Sequence, residues 1–147
     1  MAEEMAFCYR LPVSSVTPVA KNGTTYAIFV CGRPQVDGAK FFTQNQDEFQ
    51  VGSFERDEGY EVKPHQHPEN RHEVVRTTEF LYFEEGSAKV TVFDDDWNEL
   101  HTQVMKAGDF LVFFCGGHAL TMLEKTRFIE VKQGPFKGEG TTKVFRN

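Results

Sequence analysis

Val90-Thr91-Val92-Phe93-Asp94-Asp95-Asp96-Trp97-Asn98 decides the fold class. β-branched and aromatic residues run into three aspartates, which is how a strand reads when it stops in a polar turn. A second alternating run at 100–105 follows, so the stretch predicts a hairpin with an acidic, solvated tip. The aspartates lack the glycine and downstream glutamate of a calcium loop and are read as a turn. The same grammar recurs outward in both directions. Short apolar or alternating runs, broken by Gly, Asn and Asp, fall at 25–31, 49–54, 60–65, 78–84, 89–93, 110–115, 119–123 and 127–132, with a short piece near Val144. Helical periodicity is hard to find. About ten strands predict an all-β sandwich or barrel.

Two runs say how the strands are covered. Phe110-Leu111-Val112-Phe113-Phe114-Cys115 does not alternate, so both its faces are expected to be buried. One faces the interior; the other meets N-terminal strands or a second copy of the chain, which makes a homodimer the expected assembly. Arg127-Phe128-Ile129-Glu130-Val131-Lys132-Gln133 does alternate, and hydrophobicity favours Ile129 and Val131 inside over Glu130 and Lys132. His101 is expected on the surface, and Trp97 is read as a packing residue.

Composition bounds the function. The chain has 147 residues, 39% of them hydrophobic, with 16 basic and 22 acidic side chains and a net charge of -6. This describes one domain over 1–147, with N-terminal strands to about 44, a core over 45–133 and an extension over 134–147. A chain of this size folds without a structural metal or disulfides, so any metal is expected to be functional. Acidity without basic clusters disfavours nucleic acid as a partner. No apolar run reaches the roughly 18 residues of a membrane span, and the acidic start Met1-Ala2-Glu3-Glu4 is unlike a secretory signal. Cys8, Cys31 and Cys115 form neither a CxxC pair nor an even set, which suits a reducing cytoplasm and small buried apolar residues.

The densest chemistry lies in Gly59-Tyr60-Glu61-Val62-Lys63-Pro64-His65-Gln66-His67, where residues i and i+2 of a strand project both imidazoles to one face. Glu79 and Gly86 follow, then Gly108-Asp109 and Gly116-Gly117-His118. In this order and spacing the chain resembles the cupin family. The likeness runs over about residues 45–133, and pieces such as Phe41-Phe42-Thr43 and Glu130-Val131-Lys132-Gln133-Gly134-Pro135 resemble small single-domain bacterial cupins without a firmly assigned activity. The resemblance implies a double-stranded β-helix, a jelly-roll barrel, holding a metal on His65, His67, Glu79 and His118. The chain departs from the family in three places. The interval 68–78 is longer than usual, Phe114 stands where proline is common, and the second motif is one residue short before its histidine. The interval also holds rival ligands in Glu69, His72 and Glu73; the intact register from Glu79 to Gly86 favours Glu79.

Three imidazoles and a carboxylate in an apolar barrel leave open positions on an octahedral ion, an arrangement suited to chemistry. Mixed nitrogen and oxygen donors suit one divalent transition metal, Fe, Mn, Ni, Co or Zn, without choosing among them. Lys63, Arg71, Arg76, Tyr82 and Gln133 are candidates to orient a small polar ligand. The expected function is a metal-dependent enzyme, an oxidoreductase or isomerase, on a sugar-like or carboxylate-like molecule. The alternatives are a non-heme iron dioxygenase and a non-catalytic ligand-binding or sensing module.

Overall fold

The computed structural model describes residues 13–146; Cys8 and the acidic start lie outside the described residues. The strands are β1 (Ser15–Lys21), β2 (Thr24–Cys31), β3 (Ala39–Phe41), β4 (Gly52–Phe54), β5 (Glu79–Glu85), β6 (Ser87–Phe93), β7 (Glu99–Lys106), β8 (Phe110–Phe113), β9 (Gly117–Met122) and β10 (Arg127–Lys132), followed by a helical turn, α1 (Glu139–Thr142). The fold is all-β and its strands pair antiparallel. A five-stranded sheet has the order β1-β2-β8-β5-β10, a three-stranded sheet the order β7-β6-β9, and β3 with β4 makes a separate hairpin.

Alternation along each strand builds the core. Ala27, Phe29, Leu81, Phe83, Leu111 and Phe113 from the large sheet meet Ala88, Val90, Val92 and Met105 from the small one in a single buried cluster. Strand β8 is covered on both sides as expected: Leu111 and Phe113 enter this core, and Val112 is buried on the other face. There Phe110 packs against Phe80 at 5.6 Å and Phe42 at 5.8 Å, so residues before β4 supply part of the outer layer.

The hairpin with the acidic tip forms between β6 and β7. Asp94 organises it: Oδ1 accepts from the Asp96 and Asn98 amides at 3.0 and 2.8 Å, while Oδ2 accepts from Lys21 Nζ at 2.5 Å. The Lys21 hydrogen bond leads in holding the Asp94 carboxyl well below its ordinary range, against the cost of burial. A depressed carboxylate stabilises the fold above its unfolded pKa and loses that contribution as pH falls toward the folded value. The thermal midpoint of Asp94→Asn is therefore expected below wild type at neutral pH, the two curves converging as acid passes below the ordinary 3.8. Parallel curves across that window would mean the carboxylate is not what holds the tip.

Trp97 follows in the left-handed region at φ 64° and packs against Phe93 at 6.0 Å. Its ring lies over Gly117, where an added Cβ would come within 2.5 Å of it.

Four expectations fail. Residues 60–65 form no strand; the chain from 55 to 77 is exposed throughout and makes no strand pairing. Pro64 and Pro68 remove ladder donors there, and Glu61 and Lys63 interrupt any apolar face. The piece near Val144 is not a strand, the chain having turned through α1 just before it. His101 is part-buried, its ring edge-on to Phe29 at 5.2 Å and its Nε2 2.9 Å from Gln103. Finally, β10 has the opposite facing to that expected. Pairing sets Val131 opposite Phe80 and Ile129 opposite Tyr82, on the outer face, and places Phe128, Glu130 and Lys132 across from Phe83, Leu81 and Glu79 on the inner one. Strands β1 and β3 fall within the N-terminal strands expected to about residue 44, where the sequence delimits only 25–31. β1 carries a proline, which an edge strand tolerates, and β3 is only three residues long.

Candidate functional site

Glu79 opens β5 and His118 lies one residue into β9, so each sheet contributes one group at the same end of the core. Their side chains meet, His118 Nε2 lying 3.1 Å from Glu79 Oε2. Phe113 orients the imidazole by stacking on it at 4.0 Å between centroids and 9° between planes. Phe113 is itself fixed by the ladder, lying opposite Glu79 on β5 and Ala27 on β2.

Glu79 is the better buried partner, with 14% of its side chain exposed against 31% for His118. A carboxylate in such a place is retained only with partners. Lys132, across the ladder from Glu79, reaches its Oε1 at 3.5 Å and Glu130 at 2.6 Å. The hydrogen bond from His118 leads in holding the Glu79 carboxyl below its ordinary range, the charges of His118 and Lys132 adding to it and burial opposing. The Glu130 hydrogen bond raises the Lys132 ammonium above its usual value. The Glu79 carboxylate and the Lys132 ammonium therefore face each other as an ion pair at neutral pH.

A cavity of about 260 Å³ adjoins Glu79, with Lys132, Gln133, Phe136 and Lys143 in its wall. Gln133 is fixed there by its Oε1, which accepts from the Thr78 amide at 2.8 Å. Thr78 is itself 1% exposed, so this bond seats the start of β5.

The remaining candidates lie elsewhere. His65 and His67 are neighbours, their rings 5.3 Å apart, on the exposed 55–77 segment. His65 Nδ1 sits 2.8 Å from the Lys63 carbonyl. A proton on Nδ1 makes that bond and leaves Nε2 with its lone pair, the tautomer a metal ligand requires. Lys63, Glu69, Arg71, His72 and Glu73 are exposed on the same segment. Arg76 approaches Asp95 at 3.9 Å and lies with Thr78 and Cys115 in the wall of a second cavity of about 200 Å³. Tyr82 lies on the outer face of the large sheet, opposite Phe110 and Ile129. Among the described residues no group of three or more His, Cys, Asp or Glu side chains converges to hold an ion.

The structure thus joins Glu79, His118 and Gln133, and adds Lys132, which the sequence reading placed outward. Its signal was present in the alternation 127–133; hydrophobicity favoured the wrong face. Cys31 and Cys115 are part-buried and pack against the core. Burial raises the Cys31 thiol to about 11, and burial also raises Cys115 despite Arg76. No helix is long and apolar enough to cross a membrane among the described residues.

Of the four donors expected for a metal, the structure brings two together, the Glu79 carboxylate and the His118 imidazole, while His65 and His67 stand apart from them. Neither a protein-family model, nor a curated protein, nor a solved structure matches the chain.

Proposed function

We propose that the protein binds one divalent transition metal on Glu79 and His118, with His65 and His67 completing the donor set, and uses it to hold a small polar molecule. The observation that carries this reading is the Glu79–His118 pair, a carboxylate and an imidazole from opposite sheets placed 3.1 Å apart beside a cavity. A part-buried carboxylate costs free energy that apolar packing would not, so Glu79 set against an imidazole fits a chemical role. A metal needs the coordinating imidazole nitrogen without its proton, so affinity is expected to fall in acid.

When bound, such an ion supplies Lewis acidity to a chelated oxygen or, if it is iron, a site for oxygen chemistry. The chain's own residues do the rest. Phe113 holds the imidazole plane, Lys132 and Gln133 line the ligand space, and the apolar interior excludes water behind them. The cavity is smaller than the roughly 300–1,000 Å³ that takes a drug-sized ligand, which favours a small metabolite.

The same reading takes the architecture to be a cupin-type double-stranded β-helix. The two antiparallel sheets and the Gly86, Gly108 and Gly116 turns, all at positive φ, support it. A homodimer is part of the proposal, supported by Tyr82, Ile129 and Val131, which lie together on the outer face and remain 37%, 46% and 50% exposed. Cytoplasmic residence accords with the cysteine usage.

Elemental analysis of protein purified without added metal tests the central point. Wild type is expected to retain about one equivalent of a transition metal, and His118→Ala to bind it at least about tenfold more weakly while keeping its strand content. Equal metal content in a folded His118→Ala protein overturns the assignment.

A further inference from the structure

Among the described residues β9 forms a free edge of the small sheet and β10 one of the large sheet, and the chain leaves β10 through Gln133 into an extension, 134–146. This extension passes over the end of the sandwich where Glu79 lies, meeting it through two cation–π contacts. Lys132 Nζ sits 5.8 Å from the Phe136 ring, and the Arg146 guanidinium 5.7 Å from the Phe93 ring. Contacts of this kind are weak where solvent reaches them. Side-chain hydrogen bonds of the extension are local: the Thr141 and Thr142 hydroxyls donate to the Lys137 and Gly138 carbonyls, and Lys143 Nζ to Glu139 Oε1. None of residues 134–146 is buried.

The cavity of about 260 Å³ lies between this extension, which contributes Pro135, Phe136 and Lys143, and the start of β5, where Val74, Thr77 and Glu79 line it. Hydrogen-bonding capacity in its wall is one-sided. Glu79 is the carboxylate of the wall and both its oxygens are engaged, Oε1 with Lys132 and Oε2 with His118. Gln133 uses its Oε1 on the Thr78 amide, which leaves its NH2 to donate. The Lys143 ammonium holds Glu139 across one exposed helical turn, and such a pair is screened by water and readily exchanged. The wall therefore has donors and positive charge to offer, together with the apolar surfaces of Val74, Pro135 and Phe136. A ligand that fits it presents acceptors and a small apolar body, and a single negative charge, because a second would be repelled by Glu79.

We infer that this cavity binds a small organic monocarboxylate, held by Lys143 and Gln133 and covered by the extension. The inference rests on the reading of the cavity as the ligand space and narrows the class of ligand; it uses no metal ion. Lys143 exchanges Glu139 for the carboxylate of the ligand, a charge-assisted hydrogen bond in a more enclosed place than the one it gives up. The apolar part of the ligand settles against Phe136 and Val74. Because Lys143 and Phe136 belong to the extension, a bound ligand ties that segment to the sandwich. Without ligand its local hydrogen bonds and lack of buried residues let it open, which gives the ligand its way in.

Titration calorimetry on the full chain in the presence of a chelator tests this, with acetate, 3-methylbutanoate, benzoate, uncharged benzamide and inorganic phosphate as probes. One of the two larger carboxylates is expected to bind more tightly than acetate, benzamide and phosphate. Lys143→Met, which keeps the length of the side chain and removes its charge, is expected to weaken that binding about fivefold with an unchanged thermal midpoint. Hydrogen exchange of the amides of 141–143 is expected to slow about fivefold when the carboxylate is bound. Absence of saturable binding by any of the three carboxylates, equal binding of benzamide, tighter binding of phosphate, undiminished affinity in Lys143→Met, or exchange that does not slow each overturns the site. The metal reading is judged apart, by elemental analysis, since chelator keeps any ion out of every titration.

Discussion

Asp109→Ala is expected to lower stability by about 3 kcal/mol, because it strips two backbone amides of the buried charged acceptor they share. Asp109 Oδ1 accepts from the Gly32 amide and Oδ2 from the Lys106 amide, both at 2.8 Å, and the residue is 7% exposed. The carboxylate thereby ties the exit of β2 to the β7–β8 turn, while the Asp109 backbone carbonyl accepts from the Phe83 amide at 2.9 Å. For a chain of this size the loss corresponds to a fall of roughly 6–12 °C in Tm. Asp109→Asn is expected to fall between, its amide oxygen keeping one bond and its NH2 facing the other donor. A Tm for Asp109→Ala within about 2 °C of wild type would refute this account of the turn. In the sequence Asp109 falls in the stretch that resembles the second cupin motif; here its carboxylate fixes the β7–β8 turn against the exit of β2.

The second large effect is expected at Gly86, between β5 and β6. Its φ is +78°, and a Cβ there would sit 2.3 Å from the Lys125 carbonyl oxygen and 2.8 Å from Thr126 Cα. The left-handed conformation alone costs a non-glycine residue about 1–2 kcal/mol. The backbone contacts cannot rotate away as a side chain would, so Gly86→Ala is expected to cost about 3 kcal/mol or more. Gly108 provides the internal control: its φ is +91° with nothing within 4 Å of an added Cβ. Gly108→Ala should therefore show only the conformational cost. Urea unfolding of both variants separates strain from clash, and equal losses would show that the 125–126 backbone yields.

Much of the strand order was legible because local chemistry and tertiary placement agree. The run 127–132 ends where Gln133 begins the polar loop, and 90–98 forms its hairpin because Asp94 satisfies the turn amides internally. The facing of β10 was not legible. Ile129 and Val131 are the apolar positions, yet register with Phe80 and Tyr82 turns them outward, and register is set by a partner strand remote in sequence. The same reason hid Lys132. Glu79 and His118 were legible as candidates through the resemblance to the cupin motifs, in which Gly86 and Gly116, both at positive φ here, hold fixed places relative to them. The separation of His65 and His67 from them was not, since a strand-like alternation does not state which edge will pair with it.

The ring that packs over Gly117 also gives the molecule an optical reporter. Trp97 is the single tryptophan of the chain, and it rests at the first residue of β9, next to His118. Its emission thus comes from one place, the root of the free edge, and needs no label. Paramagnetic cobalt on the neighbouring imidazole would quench that emission, whereas zinc would change it only through the polarity of what settles beside the ring. Comparing the two ions separates the arrival of a metal from a change in the polarity around the ring, in a single cuvette and on the timescale of mixing.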